Sequence, residues 1–271
     1  MFRLHEIDGL PMLQIDQFNE TGLVHHGFST RIGGSSQRPF DTFDVGIYHG
    51  NDLSDVSRHR RKMAKVLGAE NDQQVVCCHQ IHGTQIAHVD RRDGGKGFVD
   101  PQSAVADTDG LMTAESGVAL MACFADCVPL FFLDPVKKVV AISHAGWRGT
   151  VGKIGVKTVK YMAERYASKE KDILVGIGPS IGPCHYQVDQ PVIEQFQQAF
   201  NFWPEILTFE NEAKAKLDLW KANQLQLMEI GILPEHITVS GQCTCCHEAL
   251  FYSYRRDQGK TGRMAGMIML K

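Results

Sequence analysis

Short apolar runs alternate with amphipathic stretches along most of the chain. Short apolar runs are typical of strands buried on both faces, and apolar residues at helical spacing are typical of helices. Glycines at positions 68 and 231 mark the ends of two helical stretches. The pattern predicts strands at residues 75–78, 84–89, 118–124, 130–133, 139–143, 173–177, 237–239 and 264–270, and helices at residues 55–67, about 151–166, 192–200 and 218–230.

This order of elements predicts an α/β or α+β fold, in which buried sheets lie beneath helices. The last predicted helix mixes apolar and polar residues at helical spacing, which is typical of an outer layer. The sequence contains no internal repeat and no linker-like tract. We therefore expect a single domain over residues 1–271.

Composition narrows the classes of partner. Of the 271 residues 43% are hydrophobic, and 28 basic against 31 acidic side chains leave a formal charge of −3. This balance is typical of a globular protein and offers no extended basic surface for a phosphate backbone. Nucleic acid is therefore not an expected partner, although a local basic pocket stays open.

The N-terminal residues and the longest apolar region bear on location. Residues 1–6 alternate charged and apolar side chains and do not resemble a secretory signal. The region 118–133 contains Asp126 and Pro129 and is shorter than the roughly 20 residues of a membrane span. We expect a cytoplasmic protein without membrane segments, whose eight cysteines are free thiols or metal ligands.

Several familiar motifs do not fit. The Gly-Lys-Thr at 259–261 lacks the earlier glycine of a phosphate-binding loop, and the glycines at 176–182 lack dinucleotide-fingerprint spacing. The His-x-Glu element of zinc nucleobase deaminases is absent at His144. A structural zinc site would have to combine Cys243 and Cys246 with Cys77, Cys78 and His79, but adjacent cysteines on a strand point to opposite faces.

Three segments place a metal-binding side chain near the end of a predicted strand. They contribute His82, Cys127 and His144, and glycines follow or lie close to both histidines. Two imidazoles and one thiolate form a three-ligand zinc site with an open fourth position, which is the composition of a catalytic site. The alternative is that Cys127 is a core thiol and both histidines are structural.

The longer sequence context of these residues resembles a known family. Ala-Asp-Cys-x-Pro at 125–129, His-Ala-Gly-Trp-Arg-Gly-Thr at 144–150 and the segments 178–184, 243–244 and 251–264 are similar to the laccase-domain or polyphenol-oxidase-like family, redefined as purine nucleoside phosphorylases. The similarity runs from about Gly27 to the C-terminus. One departure is His185, where the family pattern leads us to expect a small residue or a cysteine, so the role of Cys184 stays open.

The resemblance implies a layered α/β fold of two packed mixed sheets flanked by helices. It also implies a metal-dependent cytoplasmic enzyme that phosphorolyses adenosine, inosine and 5′-methylthioadenosine to free base and ribose 1-phosphate, with adenosine deamination as a further activity. In this chain the implied zinc ligands are His82, Cys127 and His144. The oligomeric state, the preferred nucleoside and the native metal are not determined.

Phosphate needs a cation in such a site. Arg148, four residues after His144, is the first candidate, and Arg31 in a glycine-bearing loop is the second, because the planar guanidinium matches phosphate oxygens. Both could instead form surface ion pairs, and the weaker candidates are Arg255, Arg256 and Arg263. Asp126 is a candidate catalytic residue, either as an acid or base or as a hydrogen-bonding partner next to the metal ligand, unless it is a structural cap.

Two other classes of function compete with this assignment. A cysteine hydrolase would use Cys127 as nucleophile and His144 as base. A binding protein would hold nucleosides without turnover. A multicopper oxidase is not supported, because the sequence lacks the required His-x-His and His-Cys-His elements, although Cu²⁺ competes well for thiolate and imidazole ligands.

Overall fold

The protein combines two six-stranded mixed sheets with a smaller three-stranded antiparallel sheet. A computed structural model describes residues 1–48, 50 and 52–271. The strands are β1 (Phe2–Ile7), β2 (Leu10–Ile15), β3 (Val24–Ser29), β4 (Val75–Cys77), β5 (Ile86–His88), β6 (Gly110–Thr113), β7 (Ala119–Phe124), β8 (Val128–Asp134), β9 (Val139–Ala145), β10 (Leu174–Ile177), β11 (Gln187–Asp189), β12 (Leu207–Asn211), β13 (Lys214–Leu217), β14 (Ile237–Val239) and β15 (Met264–Leu270).

Helices cover the outer faces of the large sheets. They are α1 (Asp16–Thr21), α2 (Leu53–Val66), α3 (Trp147–Val151), α4 (Ile154–Tyr166), α5 (Gln190–Ala199), α6 (Trp203–Ile206) and α7 (Leu219–Glu229). None of the helices in the described part of the chain is long and apolar enough to cross a bilayer.

The two large sheets pack face to face. The first has the order β1-β2-β3-β15-β7-β4 and the second the order β14-β10-β8-β9-β6-β5. Buried aromatic and aliphatic side chains of both sheets, such as Phe28, Phe124 and Phe131, share one apolar cluster. Strand β15 of the first sheet lies so close to β8 of the second that a Cβ on Gly266 would lie 2.7 Å from the Phe131 ring. The interior is therefore a tightly packed sheet-on-sheet layer.

Two further apolar clusters attach the helices. Met63 and Ala64 of α2 pack on the outer face of the first sheet with Met121 and Met267. Helices α4 and α7 pack on the outer face of the second sheet, where Val159 and Leu227 join its buried strands. The order of layers is thus helix, sheet, sheet, helices, and the predicted fold of two packed mixed sheets flanked by helices is confirmed.

The structure differs from the predicted elements in several places, among them the unpredicted β3, β6, α1 and α6. The helix expected over about 151–166 is two helices, α3 and α4, because Lys153 between them has a left-handed backbone with φ of 60°. The β1–β2 hairpin was not predicted, although Asp8 and Gly9 at its turn have the positive φ angles that Asp-Gly sequences favour. The small β11-β13-β12 sheet was also not predicted, because its strands are only three to five residues long.

Candidate metal centre and active-site cavity

The ligating atoms of His82, Cys127 and His144 lie within 4.8 Å of one another. The two imidazole rings meet edge to face, with centroids 4.9 Å apart. His82 follows β4 in a loop, Cys127 lies in the turn between β7 and β8, and His144 lies near the end of β9. The fold thus brings together the three residues that the sequence singled out.

The backbone around the three ligands is unusual at two residues and closely packed at a third. His82 has φ of 61° and Asp126, next to Cys127, has φ of 82°. Gly146 has an ordinary φ of −67°, but a Cβ there would lie 2.9 Å from Cys127 Sγ and 3.2 Å from His82 Cδ2. The glycine in His-Ala-Gly-Trp is therefore required by space and not by backbone conformation.

Asp109 is the residue at this centre that sequence reasoning missed. Its carboxylate is completely buried. Oδ1 accepts a hydrogen bond from His144 Nδ1 at 2.8 Å, and the two oxygens also accept the backbone N–H groups of Ile81, His82 and Gly83. One carboxylate therefore orients His144 and shapes the His82 loop. The only signal in the sequence is an aspartate directly before the short strand β6.

This carboxylate also determines which nitrogen of His144 faces Cys127. Because Nδ1 bonds to Asp109, Nε2 is left for the thiol or a metal. Burial by itself would raise the pKa of the Asp109 carboxyl, but the hydrogen bond and charge of His144 and the N–H groups of the His82 loop outweigh it and lower that pKa.

Cys127 and His144 shift each other's protonation in the metal-free protein. Burial would raise the pKa of the Cys127 thiol, but the charges of and hydrogen bonds to His144 and His82 lower it to about 6. Burial would lower the pKa of His144, but the Cys127 thiolate and Asp109 raise it to about 9. A thiolate is thus available near neutral pH, which both metal binding and nucleophilic attack require.

Asp126 points its carboxylate at structural donors. Oδ1 accepts from Thr244 Oγ1 at 2.6 Å, and Oδ2 accepts from Ser253 Oγ at 3.1 Å and the Arg255 backbone N–H at 2.7 Å. Its backbone carbonyl accepts from Ile181 N–H at 2.9 Å. Asp126 therefore ties the turn that carries Cys127 to three other segments of the chain.

A cavity of about 820 Å³ opens on the three converging residues. This volume is typical of small-molecule sites. Its walls include four large aromatic side chains, Tyr48, Trp147, Tyr186 and Tyr254. Three arginines also line it, and these are Arg60, Arg255 and Arg263. Aromatic faces and guanidinium groups thus surround the same space as the ligand cluster.

The two arginines ranked first from the sequence lie elsewhere. Neither Arg148 nor Arg31 lines this cavity. Arg148 is exposed and stacks over Trp147, with its Cζ 4.4 Å from the ring centroid, so it stands behind a wall residue. Arg31 pairs with Asp41 at 3.3 Å and stacks over Tyr252, 4.7 Å from its ring centroid. Arg263, a weaker sequence candidate, does line the cavity and is half-buried.

The structural zinc site built from Cys243, Cys246 and residues 77–79 is wrong. In the described part of the chain two groups of metal-ligating side chains converge, and neither contains Cys77, Cys78 or His79. Cys77 packs under α2, whereas Cys78 lies between the sheets, so the two thiols point to opposite faces as strand geometry requires.

Comparison with known proteins identifies the family. A family model described as multi-copper polyphenol oxidoreductase laccase matches residues 25–271. The chain belongs to this family. The resemblance found in the sequence, from about Gly27 to the C-terminus, is thereby confirmed.

Two curated relatives and one solved structure show the extent of the likeness to this laccase family. The chain is 43% identical over 245 residues to purine nucleoside phosphorylase YlmD of Geobacillus stearothermophilus, covering 89% of this chain and 88% of that protein. It is 37% identical over 263 residues to a purine nucleoside phosphorylase of Deinococcus radiodurans, covering 97% and 94%. The crystal structure of the hypothetical protein YfiH of Bacillus licheniformis superposes with a TM-score of 0.94 at 37% identity, covering 100% of this chain and 99% of that one.

Proposed function

We propose that this protein phosphorolyses purine nucleosides at a metal ion held by His82, Cys127 and His144. The observation that supports the proposal is the three-ligand cluster on a cavity lined by aromatic and guanidinium groups. The names of the relatives, which are purine nucleoside phosphorylases, point the same way. The substrates would be adenosine, inosine and 5′-methylthioadenosine, together with phosphate.

The donor set fits a catalytic zinc ion. Two imidazoles and one thiolate supply three ligands, and Asp109 holds His144 as hydrogen-bonded carboxylates typically hold zinc-bound histidines. A zinc ion bound there supplies a Lewis acid that polarises an oxygen of phosphate or of the nucleoside. Copper would bind the same donors, so the choice of zinc rests on its preference for a three-ligand site with an open position.

The surrounding side chains suit both substrates. Tyr186, Trp147 and Tyr254 offer flat faces to a purine. In phosphorolysis the bond between C1′ and the purine nitrogen breaks, a phosphate oxygen bonds to C1′, and the departing base takes up a proton. The sugar passes through an oxocarbenium-like state, so an anion held near C1′ stabilises it.

We assign the phosphate first to Arg263, because its half-buried guanidinium lines the same cavity as Cys127. Its Nη1 also donates to the backbone carbonyls of Thr261 and Gly262, which hold the side chain in place. Arg148 is the second choice, because it stacks over the cavity residue Trp147 without lining the cavity itself. Arg31 is the third, because it does not line the cavity and its charge is paired with Asp41.

Asp126 is proposed to position Cys127. Both carboxylate oxygens of Asp126 accept hydrogen bonds, from Thr244, Ser253 and the Arg255 backbone. These bonds favour a role in holding the turn over a role in transferring a proton of the substrate. The pH dependence of kcat in the Asp126→Asn variant tests an acid or base role of this residue.

Chromatography of nucleosides tests the activity. Adenosine, inosine and 5′-methylthioadenosine are incubated with enzyme, with and without phosphate. Phosphate-dependent release of base together with ribose 1-phosphate, or its methylthio analogue, supports phosphorolysis. Inosine formed from adenosine supports the deamination that the family resemblance implies and that we propose as a further activity. Nucleoside binding with no turnover of any of the three would contradict the proposal and support a binding protein.

A cysteine hydrolase is the second candidate, because His144 lowers the pKa of the Cys127 thiol to about 6. Metal analysis separates the two. Under the metal hypothesis, His82→Ala, Cys127→Ala and His144→Ala each lose bound metal and phosphorolysis while the fold survives, and chelation of the wild type abolishes activity. Full activity in metal-free protein would favour the hydrolase.

A single domain over residues 1–271, location in the cytoplasm and the absence of nucleic-acid partners stay predictions.

A further inference from the structure

A second group of metal-ligating side chains lies at the ends of two parallel strands. β10 and β14 are parallel neighbours, and the loops that follow them leave the same end of the sheet. Ser180 and Cys243 form an isolated parallel bridge between these loops. The first loop carries Cys184 and His185, and the second carries Cys243 and Cys246. The topology therefore joins two sequence positions about 60 residues apart.

The distances among the four ligand atoms match a shared ion. Cys184 Sγ and Cys246 Sγ are 3.5 Å apart, and His185 Nδ1 lies 3.3 Å from each of them and 3.8 Å from Cys243 Sγ. Zinc with bonds of about 2.3 Å to sulfur and about 2.0 Å to nitrogen gives tetrahedral edges of about 3.7 Å between sulfurs and about 3.5 Å between sulfur and nitrogen. The observed separations agree with these edges to a few tenths of an ångström.

The chemistry of the set is that of a closed site. Three thiols and one imidazole make the Cys₃His combination of structural zinc sites and leave no ligand position for water. Cys243 is buried and accepts the Gly182 N–H at 3.2 Å, which stabilises a thiolate. Cys184 and Cys246 are exposed, so an ion can reach the site from solvent.

We propose that Cys184, His185, Cys243 and Cys246 bind a second, structural zinc ion that clamps the β10 and β14 loops together. The clamp lies next to the first centre, because Thr244 binds Asp126 and Ile181 binds the Asp126 carbonyl. Tyr186, directly after His185, lines the cavity. The ion would therefore hold a cavity wall and the support of Cys127 without touching substrate.

Zinc stoichiometry tests the proposal. Protein is purified under reducing conditions from zinc-supplemented cells, and zinc per chain is measured by mass spectrometry. Cys246→Ser and Cys184→Ser are each expected to hold one zinc ion fewer than the wild type. Cys245→Ser is the matched control, because this neighbouring cysteine is outside the cluster, and it should keep the wild-type content. Unchanged zinc in both cluster variants overturns the proposal.

A second measurement keeps the two centres distinguishable. Cys127→Ala disrupts the first centre only, so the zinc it retains should show an X-ray absorption environment of three sulfurs and one nitrogen. The Cys127→Ala/Cys246→Ser variant should then lose that signal. The spectrum of Cys127→Ala stands by itself even if neither Cys246→Ser variant folds. Folded Cys127→Ala without zinc, or a Cys184–Cys246 disulfide in the reduced preparation, would each refute the second site.

Discussion

Nδ1 of His144 lies 2.8 Å from Oδ1 of Asp109, a carboxylate that is completely buried. The same carboxylate accepts three consecutive backbone N–H groups of the His82 loop. Two of the three ligands in the proposed metal centre are thus held by one acid. Asp109 directly precedes β6, whereas His82 lies in the loop after β4 and His144 lies in β9, so the carboxylate couples the positions of the two histidines.

Asp109→Asn is expected to lower metal affinity or phosphorolysis by about 10- to 100-fold, because carboxylates that support zinc-bound histidines contribute at that scale. The amide would also place N–H donors against the N–H groups that the carboxylate now accepts. Zinc affinity is measured by competition with a chelator. Asp107→Asn, an exposed aspartate two residues away, is the control and should behave like the wild type. Equal zinc affinity in both variants would contradict the role of Asp109.

Gly146→Ala should impair the first centre by steric contact alone. The added Cβ would lie 2.9 Å from Cys127 Sγ, which is closer than such contacts allow, whereas the backbone angle of −67° suits alanine. We expect reduced zinc binding with an unfolding temperature close to that of the wild type. Zinc content and thermal unfolding are measured on the same sample, and undiminished zinc would show that the turn can shift.

Three arginine variants test the assignment of phosphate. Arg263→Lys is expected to raise the KM for phosphate by about 10- to 100-fold, since hydrogen bonds to charged groups contribute about 1.5–3 kcal/mol. Arg148→Lys should raise the KM for phosphate by less than Arg263→Lys, because Arg148 does not line the cavity. Arg31→Lys should change this KM by less than about twofold. Steady-state kinetics at saturating nucleoside measure all three. A larger effect at Arg31 than at Arg263 would reverse the assignment.

Asp126→Asn distinguishes a positioning role from acid–base catalysis. Asparagine tolerates the left-handed backbone at this position, but its NH₂ would face a donor now bound by the carboxylate. We expect the free energy of unfolding to fall by about 1–3 kcal/mol. The pH dependence of kcat should have the same shape as in the wild type. If instead the variant loses the rise or the fall of kcat with pH that the wild type shows, with unchanged stability, Asp126 is the acid or base.

His26 should make stability depend on pH. Its Nε2 accepts the Ile15 N–H at 2.7 Å, and burial, with the charges of His25 and His5, lowers its pKa from 6.5 to about 3. Between these values the unfolded chain binds the additional proton, so this contribution to stability is complete above pH 6.5 and is lost as the pH falls toward 3. The loss is about 2 kcal/mol at pH 5.

Urea unfolding at pH 7 and pH 5 measures this dependence in the wild type and in His26→Gln, whose amide oxygen can accept the same N–H without titrating. Carboxylates contribute equally to both proteins, so the difference between their pH dependences isolates His26. Identical pH dependences would show that His26 does not carry the effect.

The class of fold and the residues of the first cluster could be predicted from the amino-acid sequence. Long apolar runs such as 118–124 and 264–270 are buried on both sides in the structure, and a strand in that environment has few alternatives. His82, Cys127 and His144 could be named in advance because their segments resemble the laccase-domain family, whereas spacing alone left a structural role open. Very short strands, such as the three-residue β11, could not be predicted.

The residues that surround and support the first cluster became evident from the three-dimensional structure. Asp109, Arg263 and the pairing of Cys184 and His185 with Cys243 and Cys246 depend on contacts between segments far apart in the chain. The spacing of residues in a sequence indicates which of them share a face of one helix or strand. Which strand ends lie next to each other depends on the order of strands in the sheet, and spacing does not reveal that order. In the folded protein the group of Cys184, His185, Cys243 and Cys246 lies next to Asp126, and neither Arg31 nor Arg148 lines the cavity.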